Sequence, residues 1–473
     1  MPEWLRLCLA CIPLFVIPGI VGKAFWGCEV YWASRWWFGM ILSGLLLIFG
    51  HGANLHGGVV TILFSVFFIF CAVKSFQRCK AAQPEISKDS SKRFEPGKIV
   101  AGILFFLLFC SYLDVLAHPL TAEHWDALSS WWNKVRALYF WPPFAETPCA
   151  GWDFMNYPYL GPMLELLIIR CTGGLSESFG RLLFPTVYFM WMMTFNLLFP
   201  GKIRWRTFWL IPFIAILFYD RRAFTSGYQD GFVGLICGMA AVHFVRFFLK
   251  ENRLQGIDGR WDTDLFLGVF FAGAASFVKS EGTFLGVILA AAAAGVFLFS
   301  EPAGKIPRKI LILLPYIIFF GILVCIWPGF LLLNHVNILR MQNAFVMSDL
   351  LGFYRNLDRW EMIRLFVAHS ILKNWPVLSA CLMLSLVSAL AVPKLRRVLA
   401  FLWLAGIGHG IFVTFLYFVT RLNLQWHLVN SFGRLMFQHF FVYSCILYTT
   451  GHCLLDAWDR KGLSVSTERE RSI

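Results

Sequence analysis

The apolar residues of this chain fall in long separate blocks, and that segregation decides what the chain can fold into. A helix needs roughly 17–25 apolar residues to span a bilayer. Hydrocarbon offers no water to exposed backbone groups, so each block must close its own hydrogen bonds as a helix. About thirteen such blocks lie at residues 6–24, 36–52, 57–74, 99–117, 181–200, 208–219, 229–249, 264–279, 282–300, 309–331, 377–392, 398–419 and 436–454. Those at 208–219, 264–279 and 377–392 are short. Hydrophobic residues make up 58% of the chain and charged residues 14%, against roughly 25% charged in a soluble domain. The mean hydropathy is +0.66. The expected fold is an all-α polytopic membrane protein of roughly 11–13 membrane helices. The first block lacks the basic leader and small-residue cleavage site of a signal peptide and reads as a retained span.

Short loops rich in Lys and Arg mark the cytoplasmic side. Five basic loops are visible, around Lys74–Lys98, Lys202–Arg206, Lys250–Arg260, Lys305–Lys309 and Lys394–Arg397. Even numbers of spans separate them, so all five share one side, together with the charged tail from Asp456 onward. Three spans before the first basic loop place the N-terminus on the opposite side. The net charge of +14 resides largely on these loops and requires no nucleic-acid partner; anionic membrane lipids suffice. The expected layout is 1–75 as N-terminal extra helices, 76–98 as a basic cytoplasmic loop, 99–455 as the core and 456–473 as a cytoplasmic tail.

The other face carries two long extracytoplasmic segments, 118–180 and 332–376. The first is dense in Trp and Tyr, which favour the headgroup zone. Residues 161–171 are apolar but too few to span, and predict a short interfacial or re-entrant helix. The 13 cysteines show no metal-ligand spacing, and Cys149 is the clearest one outside an apolar block.

Polar residues on this face need an explanation. Asp126, Ser130 and Lys134 recur at steps of four and share a helix face, with Glu123 three residues before Asp126. A carboxylate among tryptophans at a membrane surface can act as a general base; a local ion pair on a wet helix face is the alternative. Asp153, Asn156 and Tyr157 precede a rigid Pro-Gly turn, and Asn156 and Tyr157 suit either a sugar or headgroup ligand or simple anchoring. Arg221 and Arg222 run against the positive-inside trend. They suit an anionic ligand or pairing with Asp220 and Asp230. Lys279 and Glu281 lie between two apolar blocks. An i,i+2 pair is poor helix geometry, so each is expected to meet another group, unless they simply form a wet turn. Arg421, His427 and Arg434, with Ser431 one turn beyond His427, suit a phosphate or a charged surface loop.

These stretches, in this order, resemble the membrane glycosyltransferases of the GT-C superfamily. The likeness is to the bacterial polyprenyl-phosphate-sugar-dependent type, akin to dolichyl-phosphate-mannose-protein mannosyltransferases and aminoarabinose transferases. The stretches are Glu-His-Trp-Asp126-Ala-Leu-Ser-Ser-Trp, Asn156-Tyr-Pro-Tyr-Leu-Gly-Pro, Gly227-Tyr-Gln-Asp-Gly, Lys279-Ser-Glu-Gly and Trp426-His-Leu-Val-Asn-Ser-Phe-Gly-Arg434. The resemblance covers most of the chain after residue 99; the first three spans look like an addition. It implies a GT-C-like core, a polyprenyl-phosphate-sugar donor and an extracytoplasmic glycan, lipid or protein acceptor, in a bacterial inner membrane with the site facing the periplasm or cell exterior. Asp126 matches the carboxylate that deprotonates or orients the acceptor. Arg421, His427 and Arg434, then Arg221, Arg222 and Lys279, are candidates for the donor phosphate. Glu123, Lys134, Asp153, Asn156 and Tyr157 are candidates for acceptor or sugar, with Asp230 and Glu281 beside them. Trp125 stands where some relatives have a second acid, which leaves a divalent cation (Mg or Mn) on Asp126 and Glu123 open. A transporter or flippase for a lipid-linked substrate, and a non-catalytic subunit of an envelope polysaccharide machine, are the competing readings. The absence of a G-x-x-x-x-G-K-[ST] loop leaves ATP-driven work without support.

Overall fold

The computed structural model describes residues 1–27, 30–52, 57–81, 96–121, 126–140, 157–194, 227–250, 262–300, 306–333, 357–374, 382–383, 385–388, 395–420 and 423–471. Among the described residues there is no strand. Helix α1 is Glu3–Trp26, widened by a π turn at Ile12–Val16 where Pro13 supplies no N–H. Then come α2 (Trp32–Gly52), α3 (Gly57–Ala81) and α4 (Pro96–Ala117). A π turn at Ala127–Trp132 leads into α5 (Asn133–Phe140). Helices α6 (Leu160–Cys171), α7 (Glu177–Arg181) and α8 (Leu183–Thr194) follow. The remainder is α9 (Gln229–Leu249), α10 (Thr263–Ala274), α11 (Ser280–Phe299), α12 (Ile306–Leu333), α13 (Leu357–Asn374), α14 (Arg396–Val419) and α15 (Leu424–Arg471).

Seven helices among the described residues are long and apolar enough to cross a membrane: α1, α2, α3, α9, α11, α12 and α14. Shorter apolar stretches lie in α4 (Phe105–Ala117), in α10 with the turn after it (Thr263–Phe277) and in α15 (Phe440–Gly451). The expected spans at 208–219 and most of 377–392 lie outside the described residues. The last helix continues as one rod from Leu424 to Arg471, through the expected tail.

The core is built around α9. It is apolar on all sides, and a helix of that kind has to be surrounded; 19 of its 21 residues are buried. Helices α8, α10, α14 and α15 pack on it, with Phe244 and Phe248 against Phe401 and Phe247 against Phe297. Helices α3 and α12 instead leave large apolar side chains outside, such as Ile62 at 64% and Leu311 at 69% exposure. In water that surface would be a liability; against lipid it is the natural outer face.

The helices alternate between two ends. At one end Arg78 donates to the Phe25 carbonyl, Lys250 pairs with Asp262, Lys309 donates to the Phe297 carbonyl and Arg397 to the Ser300 carbonyl. Four of the five basic segments therefore gather there. At the other end Arg6 donates to the carbonyls of Thr172 and Gly174, which puts the start of α1 beside the α6–α7 connection. Helix α6 forms where the apolar run predicts it, but it is not a surface-lying helix. Nine of its 12 residues are buried, because it is wedged against α2.

Candidate functional site

Four segments distant in sequence meet at the end opposite the basic loops. Asp230 is in the first turn of α9, where the free N–H groups and the helix dipole favour an anion. The chain enters that helix through Gly227, whose φ of +78° is a glycine conformation. Lys279 caps α11 with extended backbone, φ −155° and ψ 151°. Its ammonium reaches Asp230 at 2.8 Å and Glu281 at 3.3 Å. The i,i+2 objection to a Lys279–Glu281 pair therefore does not hold, since Lys279 is not helical.

Arg434, on α15, is the hub. Its Nη2 and Nε donate to Asp230 Oδ2 at 2.9 and 3.1 Å, and its Nη1 donates to Asp126 Oδ2. One turn on, Gln438 Nε2 donates to Asp230 Oδ1 at 2.5 Å. Exposure is graded: the side chains of Asp126 and Arg434 are 23% and 36% exposed, those of Asp230 and Lys279 only 5% and 8%. The outer pair faces solvent and the inner pair anchors it. Three carboxylates (Asp126, Asp230, Glu281) meet two cations (Lys279, Arg434), one negative charge in excess. Arg434 also lies 4.8 Å from the centroid of the Tyr228 ring, and Lys279 lies 5.9 Å from that of Tyr157.

The electrostatics follow from this packing. Burial alone would lower the Lys279 ammonium, but Asp230 and Glu281 outweigh it and hold its pKa above the ordinary lysine value. Arg434 is likewise held above its ordinary value by Asp230 and Asp126 against the opposing effect of burial. Burial, reinforced by Glu281 and Asp230, pushes the Tyr157 phenol up, so it remains a proton donor. Burial and then Arg359 lower His427, so it offers hydrogen bonding rather than charge.

Lys134 and Asp126 diverge. The π turn after Asp126 breaks the simple i,i+4 ladder, and Lys134 points inward, 2% exposed. Its ammonium donates to the Tyr157 carbonyl at 2.8 Å and lies over the rings of Tyr159 and Trp131. Asp126 instead reaches across 308 residues to Arg434. His427 and Ser431 fall one turn apart as their spacing predicts. Ser431 is 2.9 Å from the Tyr417 hydroxyl, and the His427 ring meets that of Tyr417. With Arg434 and Gln438 they recur at steps of three and four, one face of α15. Glu123, Asp153, Asn156, Arg221, Arg222 and Arg421, and also Cys149, lie outside the described residues.

A divalent cation finds no cradle among the described residues. No group of three or more His, Cys, Asp or Glu is placed to hold a metal there. Asp126 and Asp230 are bridged by a guanidinium rather than turned together around an open centre.

Three features carry chemistry that sequence reading missed. Gln438 is the first; its spacing four residues from Arg434 was the available signal. The second is Glu165, 3% exposed, which accepts from Gln229 Nε2 at 3.2 Å. A lone Glu in a 12-residue apolar helix was its signal. Burial pushes its pKa up to about 8, opposed by Arg181, so it is protonated at neutral pH. Among the described residues Gln229 Oε1 has no hydrogen-bond partner; turning the amide over would let the Glu165 hydroxyl donate to it. Gly161 lets Gln229 approach α6 so closely that a Cβ there would collide with its amide.

The third feature lies at the opposite end. Ser34 Oγ is 3.0 Å from His243 Nε2, and His243 Nδ1 is 2.9 Å from Asp264. The order is that of a hydrolytic triad, but Ser34 is 0% and His243 1% exposed. Arg246 and Lys250 also hold Asp264. No substrate reaches this serine, and the chain of bonds serves to tie α2, α9 and α10 together.

No protein-family model matches the chain, and neither a curated protein nor a solved structure shows a detectable match to it. What fold and composition define is the class: an all-helical chain with seven helices, among the described residues, long and apolar enough to cross a membrane.

Proposed function

We propose that this protein is a glycosyltransferase that moves a sugar from a polyprenyl-phosphate donor to an extracytoplasmic glycan, lipid or protein acceptor. The observation that carries the reading is the Asp126–Arg434–Asp230–Lys279 chain of ion pairs. It joins four of the five stretches on which the family resemblance rests, at the end away from the basic loops. A solvent-facing carboxylate beside a guanidinium and an ammonium is what displacement at a sugar phosphate needs.

In the proposed reaction the acceptor oxygen or nitrogen attacks the anomeric carbon opposite the phosphate. The new bond forms as the bond from that carbon to the phosphate oxygen breaks, with inversion. The acceptor proton passes to Asp126, and the electron pair leaves on the polyprenyl phosphate. Arg434 stabilises that charge, and Lys279, paired behind it with Asp230, adds positive potential without touching the phosphate. In the resting arrangement Arg434 occupies Asp126 Oδ2. A donor phosphate competing for Arg434 frees that oxygen to accept the proton. The Tyr157 phenol and the Lys134 cage behind it form the wall beside the sugar.

The test is sugar transfer in proteoliposomes with extracted lipid-linked donors, comparing wild type with Asp126→Asn by mass spectrometry. The expected result is a loss of transfer of about 10²-fold or more in a folded variant that still binds donor. Unchanged transfer would remove Asp126 from the mechanism. Wild-type protein that moves lipid between leaflets but transfers no sugar would turn the reading to a flippase.

A further inference from the structure

A cavity of about 390 Å³ lies between α3 and α6, over a floor supplied by α1 and α2. That volume is within the roughly 300–1,000 Å³ of ligand sites. On α3 its wall is Val60, Phe64, Phe68 and the residues beside them, Thr61, Ser65 and Ile69. They recur at helical spacing and form a single stripe, about 13 Å long at 1.5 Å per residue. Met163, Leu167 and Arg170 face it from α6, and His51 closes it from the last turn of α2. The result is a narrow apolar slot with a cationic end.

The slot has a direction and an opening. Arg170 and His51 lie within electrostatic reach of each other, at the end of the bundle where Arg6 meets Thr172 and Gly174. The apolar stripe descends from there along α3 toward mid-bundle. Ile69 lines the slot and is 61% exposed, and its neighbours Ile62 and Val66 are 64% and 59% exposed. The cavity therefore opens sideways onto the outer surface that lipid would cover.

We infer that this cavity holds one hydrocarbon chain of an anionic phospholipid, with the lipid phosphate on Arg170. The lining matches a chain and not a polar solute, since its polar groups are confined to one end and the Thr61–Ser65 edge. Arg170 is exposed and uses one Nη on the Tyr139 carbonyl, at 3.5 Å. A guanidinium has five N–H donors and its fork matches phosphate oxygens. The cavity is also on the wrong face of α6 for the donor proposed above. Gly161 and Glu165 turn toward Gln229, whereas Met163, Leu167 and Arg170 lie roughly opposite at 100° per residue. A phosphate on Arg170 is thus separated from Arg434 by the body of α6. Because α3 forms one wall and α6 the other, the lipid couples the N-terminal helices to the core, and binding to the folded state alone stabilises it.

The test is native mass spectrometry of the full chain in non-ionic detergent, with phosphatidylglycerol, phosphatidylcholine of the same chains, or undecaprenyl phosphate added. Wild type should retain one phosphatidylglycerol, at least fivefold more tightly than phosphatidylcholine. Arg170→Gln should abolish that preference while leaving weak binding of either lipid. Ser65→Trp, which fills the slot, should reduce retention at least tenfold. Val66→Trp, one residue away on the lipid-facing surface, should bind as wild type and controls for folding. Equal retention of the two phospholipids by wild type overturns the proposal, as does a Ser65→Trp variant that binds like Val66→Trp. Displacement of phosphatidylglycerol by undecaprenyl phosphate at lower concentration, in an Arg170-dependent way, overturns it in favour of a polyprenyl site.

Discussion

The Lys279–Asp230 pair is the joint on which the candidate site depends, and its removal has a calculable cost. The two groups are 2.8 Å apart with side chains 8% and 5% exposed. At an effective dielectric of about 20, the Coulomb attraction at that distance is on the order of 6 kcal/mol. Desolvation of both groups offsets most of it, yet breaking a buried pair still typically costs about 3–5 kcal/mol, because one charge is left behind. Lys279→Met leaves Asp230 held by Arg434 and Gln438 but doubles the excess negative charge of the cluster. The expected destabilisation is therefore about 3 kcal/mol, the low end of that range. Asp230→Asn should cost about 2 kcal/mol, since Lys279 retains Glu281. The double variant should fall short of the sum by at least about 1.5 kcal/mol, as expected of residues in one network. Equilibrium unfolding in mixed micelles, followed by tryptophan fluorescence, measures all three. A Lys279→Met cost below about 1 kcal/mol, or additivity within about 0.5 kcal/mol, would refute the reasoning.

Other predictions address the fold around the site. Glu165 keeps its proton in the folded chain up to about pH 8, while an unfolded glutamate releases it near pH 4.3. The folded state then binds more protons in that window, so stability falls as pH rises through it, by about 1.4 kcal/mol per unit. Glu165→Gln should flatten that dependence in thermal melts between pH 5 and 8; an unchanged slope would show that other groups cause it. Gly161→Ala should cost about 1–3 kcal/mol by overpacking against Gln229, and Gln229→Ala should recover part of that loss in the double variant. Orientation is tested with an impermeant maleimide on intact cells, in a background without reactive cysteines. Trp426→Cys should label from outside and Arg308→Cys only after permeabilisation; the reverse pattern would invert the bundle.

Much of the fold could be read from the distribution of apolar residues, because a bilayer leaves helices as the only solution for such blocks. The alternation of basic segments was readable for the same reason, and the ends at which Arg78, Lys250, Lys309 and Arg397 are found agree with it. The site was readable as a set of residues but not as a set of bonds. Asp126, Asp230, Lys279 and Arg434 each stood out as polar groups at the edge of an apolar block. Their pairing was hidden because it depends on tertiary contacts such as the 308-residue reach of Arg434 to Asp126. Local rules also failed where the backbone leaves the helix. The i,i+2 rule did not apply to an extended Lys279, and the i,i+4 rule did not survive the π turn between Asp126 and Lys134. Glu165 and Gln229 were missed because each is a single polar residue in an otherwise apolar or turn-like setting, and only the contact between α6 and α9 gives them a role.

The charge balance of the cluster explains why its parts are arranged in two layers. Asp230 receives bonds on both oxygens from Lys279, Arg434 and Gln438, so it has little capacity left for a ligand and acts as an anchor. Asp126 and Arg434 are the more exposed members, and their mutual contact is the one a ligand can replace. A phosphate meeting this site as found would face an excess negative charge, which disfavours it. It becomes compatible when it takes over the guanidinium donor that Asp126 holds, because the Asp230 contacts keep Arg434 in position while its Nη1 changes partner. Under the proposed transfer reaction, that exchange joins two events physically: the phosphate is bound and the carboxylate is released in the same step. A carboxylate freed only when donor is present keeps the base masked until there is an anomeric carbon for the acceptor to attack.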